Sequence, residues 1–239
     1  MKILIPAAGK GSRFQGSKYH LPKPMISVDG EPMLIRAAKT LGFRGEFIFI
    51  IQESEYRVEL ATKLKEAFSN CKIAVIGFDT DGPVETSLIA EEIIDSEEEL
   101  LIANCDQILS WDHGYNSDTV LKQLRKYDAG VLTINSTDPK HSYARIENNL
   151  VVEIQEKKVI SEEALVGIHY WKHGCDFIKS AREMISDDQR TNNEFYIGPT
   201  YNYLIKDGKK VTFVRLNDKD ISFVGTPEDL QTYESNQTV

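Results

Sequence analysis

Between Lys2 and Asn135 the chain alternates short apolar runs with stretches whose apolar residues recur at helical spacing. Residues 2–7, 46–51, 72–76, 100–104 and 130–135 read as strands. Residues 31–41, 55–68, 83–94 and 115–127 read as helices between them. Met33, Ala37 and Leu41 mark one stripe of the first helix, and Val58, Ala61, Leu64 and Phe68 one stripe of the second. Strands apolar at nearly every position are buried on both faces, and strand–helix–strand units close by right-handed crossovers. The pattern predicts an α/β protein with a mixed, mainly parallel sheet and helices on both faces. Ligands of such sheets bind beyond the carboxyl ends of the strands, so a site is expected in the loops after the first, third and fourth strands.

After Asn135 the elements shorten. Residues 143–147, 150–156 and 164–171 read as strands separated by turns such as Asn148-Asn149, which suits antiparallel additions to the sheet. Helices are expected over 174–185 and 193–205, and a strand over 210–216. Thr226-Pro227-Glu228-Asp229 opens a last helix, with Thr226 as cap, Pro227 at the first position and Asp229 answering as in a capping box. No repeat or Pro/Ser-rich linker interrupts the chain, so residues 1–239 are expected to form one domain, the second half completing the sheet and one wall of the pocket.

The first strand runs into PAAGKGSRFQGSKYHLPKP, Pro6 to Pro24, which holds Gly9, Gly11 and Gly16 among Lys10, Arg13, Lys18 and Lys23. Glycines after a strand let the backbone approach phosphates and present N–H donors to them. The chain carries 28 Lys and Arg against 37 Asp and Glu, a net −9, so non-specific nucleic-acid binding is not expected and any polyanion must meet a local basic pocket. A cation 4 Å from a phosphate is worth about 4 kcal/mol at an effective dielectric near 20, enough for two or three to reshape the field locally. The spacing G-x-G-S-R is neither the dinucleotide fingerprint nor the Walker loop, which disfavours hydride transfer and P-loop hydrolysis. A glycine turn among solvated charges is the bland alternative, and the following Leu21-Pro22-Lys23-Pro24 weighs against it. Asp106, just past the fourth strand, suits Mg²⁺ ligation, or else simply starts a turn.

Gly9-Lys10-Gly11-Ser12-Arg13, followed by Pro22-Lys23-Pro24 and Gly30-Glu31-Pro32-Met33, resembles the opening of the sugar-phosphate nucleotidyltransferases. The resemblance continues through the Gly82 turn, Asn104-Cys105-Asp106, Glu156-Lys157 and Gly225-Thr226-Pro227-Glu228-Asp229. It is strongest to short bacterial members among capsule and surface-polysaccharide enzymes, which share a stretch like Asn193-Glu194-Phe195-Tyr196. It implies a Rossmann-like fold of the nucleotide-diphospho-sugar transferase type. It also implies Mg²⁺-dependent coupling of a nucleoside triphosphate to a phosphorylated sugar or similar phosphate ester, with release of pyrophosphate.

By position, the resemblance implies that Ala7, Ala8, Gly9, Lys10, Gly11 and Ser12 bind the nucleotide, with Arg13 and Lys23 holding the phosphates at the reacting phosphorus. Gly82 is implied beside the base and ribose, where a helix start that needs glycine explains it equally well. Asp106 is the implied metal ligand. Glu156 and Lys157 are implied to hold the acceptor's hydroxyls and phosphate, though an exposed edge strand is the plainer account. Asn193 and Glu194 are further acceptor candidates, and an ordinary N-cap explains Asn193 equally well. The nucleotide-binding half is then 1–135 and the acceptor-binding half 136–239. One departure stands out: a second metal carboxylate belongs two residues before Gly225, where this chain has Phe223, leaving Asp218 and Asp220 as the nearest substitutes.

The opening Ala7-Ala8-Gly9 leans the base toward a pyrimidine, CTP ahead of UTP, and choline phosphate or an amino-acid phosphate are alternative acceptors. A GT-A-type glycosyltransferase and a catalytically silent nucleotide-binding protein are the competing functions. Cys71, Cys105 and Cys175 form no CxxC, the N-terminal apolar run is too short for a signal peptide, and no apolar run approaches a membrane span. A cytoplasmic protein with small-molecule partners and no membrane is expected, and a homo-oligomer is compatible with all of this.

Overall fold

The computed structural model describes residues 1–237; Thr238 and Val239, the end of the expected 1–239 unit, lie outside the described residues. The first half contains β1 (Lys2–Ala7), β2 (Ser27–Val28), β3 (Glu31–Pro32), α1 (Met33–Thr40), β4 (Glu46–Gln52), α2 (Arg57–Ala67), β5 (Lys72–Ile76), α3 (Pro83–Leu88), α4 (Glu91–Ile94), β6 (Leu100–Ala103), β7 (Gln107–Leu109), α5 (Ser117–Leu124) and β8 (Ala129–Asn135). The second half adds β9 (Ser142–Glu147), β10 (Leu150–Glu156), β11 (Glu163–Trp171), α6 (Gly174–Ser186), α7 (Tyr201–Lys206), β12 (Val211–Arg215), β13 (Ile221–Phe223) and α8 (Pro227–Gln237).

Nine strands form one sheet in the order β5-β4-β1-β6-β11-β8-β12-β10-β9. β5, β4, β1 and β6 pair in parallel, as the strand–helix alternation predicts. β11 lies antiparallel between β6 and β8, and β10 antiparallel to β9 and β12. The strand periodicity explains the two layers of core. Ile3 and Ile5 of β1 face Leu34, Leu60 and Val120 of α1, α2 and α5, while Leu4 faces the side covered by Val84, Phe177 and Leu204 of α3, α6 and α7. Among the described residues no helix is long and apolar enough to cross a membrane. The three cysteines are free thiols.

Four local expectations change. In α2 Val58 is 64% exposed, because the face turned to the sheet is the stripe of Leu60, Leu64 and Ala67, four and three residues apart. The expected helix over 83–94 is two helices: Ser87 Oγ donates to the Pro83 carbonyl at 2.7 Å, and the Ala90 N–H to Ser87 at 3.1 Å, tightening the turn until the helix breaks. The expected helix over 193–205 begins only at Tyr201, since Asn192 and Asn193 have φ of 51° and 63° and Pro199 follows in a 3₁₀ turn. At the start of α8, Thr226 Oγ1 accepts from the Asp229 N–H at 3.1 Å, but the Asp229 carboxylate turns to Lys140 at 3.4 Å instead of closing a capping box.

Candidate active site

The loops after β1, β5 and β6 meet at the carboxyl end of the sheet, where two adjoining cavities open. One, of about 550 Å³, is lined by Ala7, Ala8, Gly9, Lys10, Gly11, Ser12, Arg13 and Lys23, with Gly82, Asn104, Asp106, Asn193 and Glu194 opposite. The other, of about 490 Å³, is lined by Gln107, Lys140, His141, Glu156, Lys157, His169, Glu194, Tyr196, Phe223 and Asp229. Ser12, Arg13, Pro83, Asn104, Asp106, Glu194, Tyr196 and Gly225 belong to both, so they form the boundary between them.

Asp106 is held on that boundary by two short strands that the sequence pattern does not reveal. β13 pairs antiparallel with β7, setting Phe223 opposite Gln107, and the Val224 N–H donates to the Asp106 carbonyl at 3.0 Å. The pairing presses Gly225 against the carboxylate: a Cβ there would stand 2.5 Å from Oδ2. Gln107 Nε2 donates to Oδ1 at 2.6 Å, and Lys23 donates to Oδ2. Burial works against the Lys23 ammonium, but attraction from Asp106 outweighs it and raises its pKa above the ordinary lysine value, even though Arg13 lies close enough to repel it. Two cations thus converge beside one carboxylate. Burial pushes the neighbouring Cys105 thiol up to about 11, which leaves it inert as a nucleophile at neutral pH.

Gly82 lines the cavity with Lys23, but its nearest neighbours explain the glycine. With φ of 111°, a Cβ there would lie 2.8 Å from both the N and O of Phe195, whose backbone bonds to Asp81 and Val84. Glycine therefore joins the start of α3 to the 192–197 segment while lining the cavity of the glycine loop. Asn193 is no N-cap: it is left-handed and lines the cavity of the glycine loop together with Glu194, which lines the second cavity as well.

Glu156 ends β10 and Lys157 follows it with φ of 54°, both lining the second cavity. Burial raises the Glu156 pKa, opposed by a hydrogen bond from Ser142 and the charge of Lys157, and assisted by Glu194. Lys157 Nζ donates to Tyr196 Oη at 2.7 Å and lies 4.5 Å from that ring's centre. Sequence reasoning assigned no site role to Gln107, Lys140, His141 and His169, whose types and spacing give no signal apart from the fold, nor to Tyr196 and Asp229, which it quoted only within longer stretches. Gln107 Oε1 and His169 Nδ1 are buried without a partner. Burial pushes the His169 imidazole down to about 3.

The substitutes expected for a second metal carboxylate lie elsewhere. Asp220 is buried outside both cavities, where Oδ1 accepts from Ser110 Oγ at 3.1 Å and from the N–H groups of Asp112 and His113 at 2.9 and 3.1 Å. Asp218 accepts from the Asn135 N–H at 3.2 Å on an exposed surface. Phe223 stands beside Asp106 as its position implies, with its ring 4.9 Å from that of His141. Among the described residues no group of three His, Cys, Asp or Glu could hold a metal. The donor at hand on the boundary is the Asp106 carboxylate, whose hard oxygen atoms suit Mg²⁺ when substrate phosphates and water complete its shell.

Residues 3–141, more than half of the sequence, match the MobA-like NTP transferase domain. The chain belongs to this family. Among curated proteins, the family member's sequence is 27% identical over 236 residues to the bifunctional protein GlmU of Methanocaldococcus jannaschii, covering 96% of the chain and 52% of the relative. GlmU of Alkaliphilus metalliredigens is 25% identical over 248 residues, covering 98% and 51%. The chain thus spans about half the length of these relatives. The nucleoside-diphosphate-sugar pyrophosphorylase of Vibrio cholerae superposes with a TM-score of 0.84 at 21% identity, covering 97% of this chain and 98% of that one. The inositol-1-phosphate CTP transferase of T. maritima does so with a TM-score of 0.70 at 16% identity, covering 98% and 93%. At these identities the structural likeness speaks for the Rossmann-like α/β fold, as expected for the family.

Proposed function

We propose that the chain is an Mg²⁺-dependent nucleotidyltransferase that joins a nucleoside triphosphate to a phosphorylated small molecule and releases pyrophosphate. The observation that carries this reading is the shared boundary: Asp106 and Arg13 face both a glycine-and-lysine-lined cavity and a second polar cavity. A transferase needs that arrangement, because its two substrates must meet at one phosphorus.

In this reading residues 1–135 supply most of the nucleotide site and 136–239 most of the acceptor site. Ala7 to Ser12 wrap the triphosphate and Gly82 closes its cavity. Arg13 and Lys23 neutralise the charge that builds up on the reacting phosphoryl group. Mg²⁺, when bound at Asp106, supplies further neutralisation of phosphate charge. Glu156, Lys157 and Glu194 orient the acceptor, and Asn193 faces the nucleotide. An acceptor phosphate oxygen attacks the α-phosphorus in line; the new P–O bond forms as the bond to pyrophosphate breaks and its electron pair leaves with pyrophosphate. No general base is required, because a phosphate monoester is largely ionised at neutral pH.

Ala7-Ala8-Gly9 favours a pyrimidine, CTP ahead of UTP, and synthesis of capsule or surface-polysaccharide precursors in the cytoplasm is the setting that suits the resemblance. Choline phosphate or an amino-acid phosphate is the alternative acceptor. The test is a matrix of four nucleoside triphosphates against sugar 1-phosphates, choline phosphate and phosphoserine, with Mg²⁺, read as pyrophosphate release. Acceptor-dependent release with one base is the expected result. Triphosphate binding without release from any pair supports a silent binding protein, and consumption of a sugar nucleotide with glycosyl transfer supports a glycosyltransferase.

A further inference from the structure

Lys140 was not among the residues that sequence motifs single out, and it lines the second cavity, as Asp106 does. Its Nζ lies 5.7 Å from the centre of the Phe223 ring. Phe223 is paired across β13 and β7 with Gln107, the neighbour of Asp106, so Lys140 stands over the strand pair that holds Asp106.

Two further observations describe the state of this ammonium. Its ion pairs are loose: Asp138 Oδ2 and Asp229 Oδ1 are each 3.4 Å away, longer than an ordinary charge-assisted hydrogen bond, and the side chain is 46% exposed. Such exposed pairs hold a lysine weakly and release it to a stronger anion. Lys157, the other lysine of the cavity, is already committed to the Tyr196 hydroxyl at 2.7 Å and to its ring face. His141 adds no competing charge on this wall, because burial and the Lys140 charge both hold its pKa below the ordinary imidazole value.

We propose that Lys140 is a specificity-determining anchor for the acceptor's phosphate in the second cavity, where Lys157 is already engaged by Tyr196. This rests on the nucleotidyl-transfer reading above for its reaction, but the anion site itself can be tested without that reaction. An ammonium at this position gives the phosphate of any acceptor the same contact, so it selects for a phosphorylated end and leaves the rest of the molecule to Glu156, Glu194 and Gln107.

The experiment uses the full chain and Lys140→Gln, Lys140→Arg and Lys157→Gln. In pyrophosphate-release assays Lys140→Gln is expected to raise the acceptor KM about tenfold or more, as loss of a charged hydrogen bond does, with triphosphate KM unchanged and with partial rescue by arginine. Calorimetric titration of inorganic phosphate into the triphosphate-loaded proteins is expected to show a matching loss in Lys140→Gln and a smaller one in Lys157→Gln. An unchanged acceptor KM and phosphate affinity in Lys140→Gln would overturn the proposal. So would equal changes in both substrates' KM together with a lowered Tm, the signature of a clamp between Asp138 and Asp229. If the wild type releases no pyrophosphate from any pair, the transferase reading fails; titration of phosphate into the unloaded proteins then decides Lys140 by itself, a loss of affinity in Lys140→Gln upholding it and equal affinities overturning it.

Discussion

Lys23 donates to Oδ2 of Asp106 across the floor of the cleft, with the two side chains only 14% and 13% exposed. Each was expected to serve a substrate: the lysine a phosphate, the carboxylate a metal. Without substrate they neutralise each other, which keeps two buried charges tolerable in the absence of the groups they would bind.

Removing one partner therefore affects stability as well as activity. Asp106→Ala leaves a nearly buried ammonium beside Arg13, and is expected to destabilise the fold by about 2–4 kcal/mol. It is expected to lower pyrophosphate release by about two to four orders of magnitude. Urea unfolding of Asp106→Ala and of Lys23→Met/Asp106→Ala checks the first part: the double variant should recover stability but not activity. Equal stability of wild type and Asp106→Ala would show that the ion pair contributes nothing.

The same pair sets how metal and triphosphate depend on each other. In the free protein an Mg²⁺ ion must compete with Lys23 for one carboxylate, and it sheds water reluctantly. A triphosphate offers Lys23 another partner. Calorimetric titration should show Mg²⁺ affinity rising at least about tenfold when a non-hydrolysable triphosphate is present, with the reciprocal gain for the triphosphate. Micromolar Mg²⁺ binding to the free protein would point to a second carboxylate near Asp106, with Asp229 and Glu156 the first to substitute.

Gly82→Ala tests whether that glycine serves packing. Its Cβ would meet the Phe195 backbone at 2.8 Å in a left-handed conformation, so the junction of α3 with residues 192–197 must shift. The expected loss is about 2–3 kcal/mol of stability, measured by denaturant unfolding. A change confined to triphosphate affinity would assign Gly82 a role beside the base.

His169 makes stability pH-dependent. Burial holds its imidazole at about 3, against an ordinary value of 6.5. A depressed native pKa means that the contribution is complete above the unfolded value and is lost as pH falls toward 3, because the unfolded chain takes up the proton first. At pH 5 the linkage amounts to about 2 kcal/mol. Unfolding of the wild type and His169→Leu at pH 7.5, 6 and 5 checks this through the difference in slope, whatever the absolute effect of the substitution; parallel slopes would refute it.

Much of the molecule is legible in the chain because local rules and burial agree there. The apolar strands from Lys2 to Asn135 specify a sheet covered on both faces, and the glycine loop after the first of them specifies where an anion would bind. Where local rules conflicted, the reading went astray: Pro199 and two left-handed asparagines override the helical pattern over 193–205. The candidate acceptor cavity was the least legible part. Gln107, Lys140 and His169 are scattered along the chain and carry no motif in common.

By itself, the sequence determined the parallel half of the sheet, the phosphate-suited loop and the position of Asp106 at a strand end, since each depends on neighbours within a few residues. Only the tertiary structure decided what Asp106 touches. The pairing of β13 with β7 brings Gly225 and Phe223 against it from more than a hundred residues away, and the turn at Lys23 brings an ammonium to the same carboxylate. Composition and periodicity describe which faces of an element must leave water; they do not encode which distant side chain arrives there. That is settled by strand register and by the mutual neutralisation of charges that burial forces together.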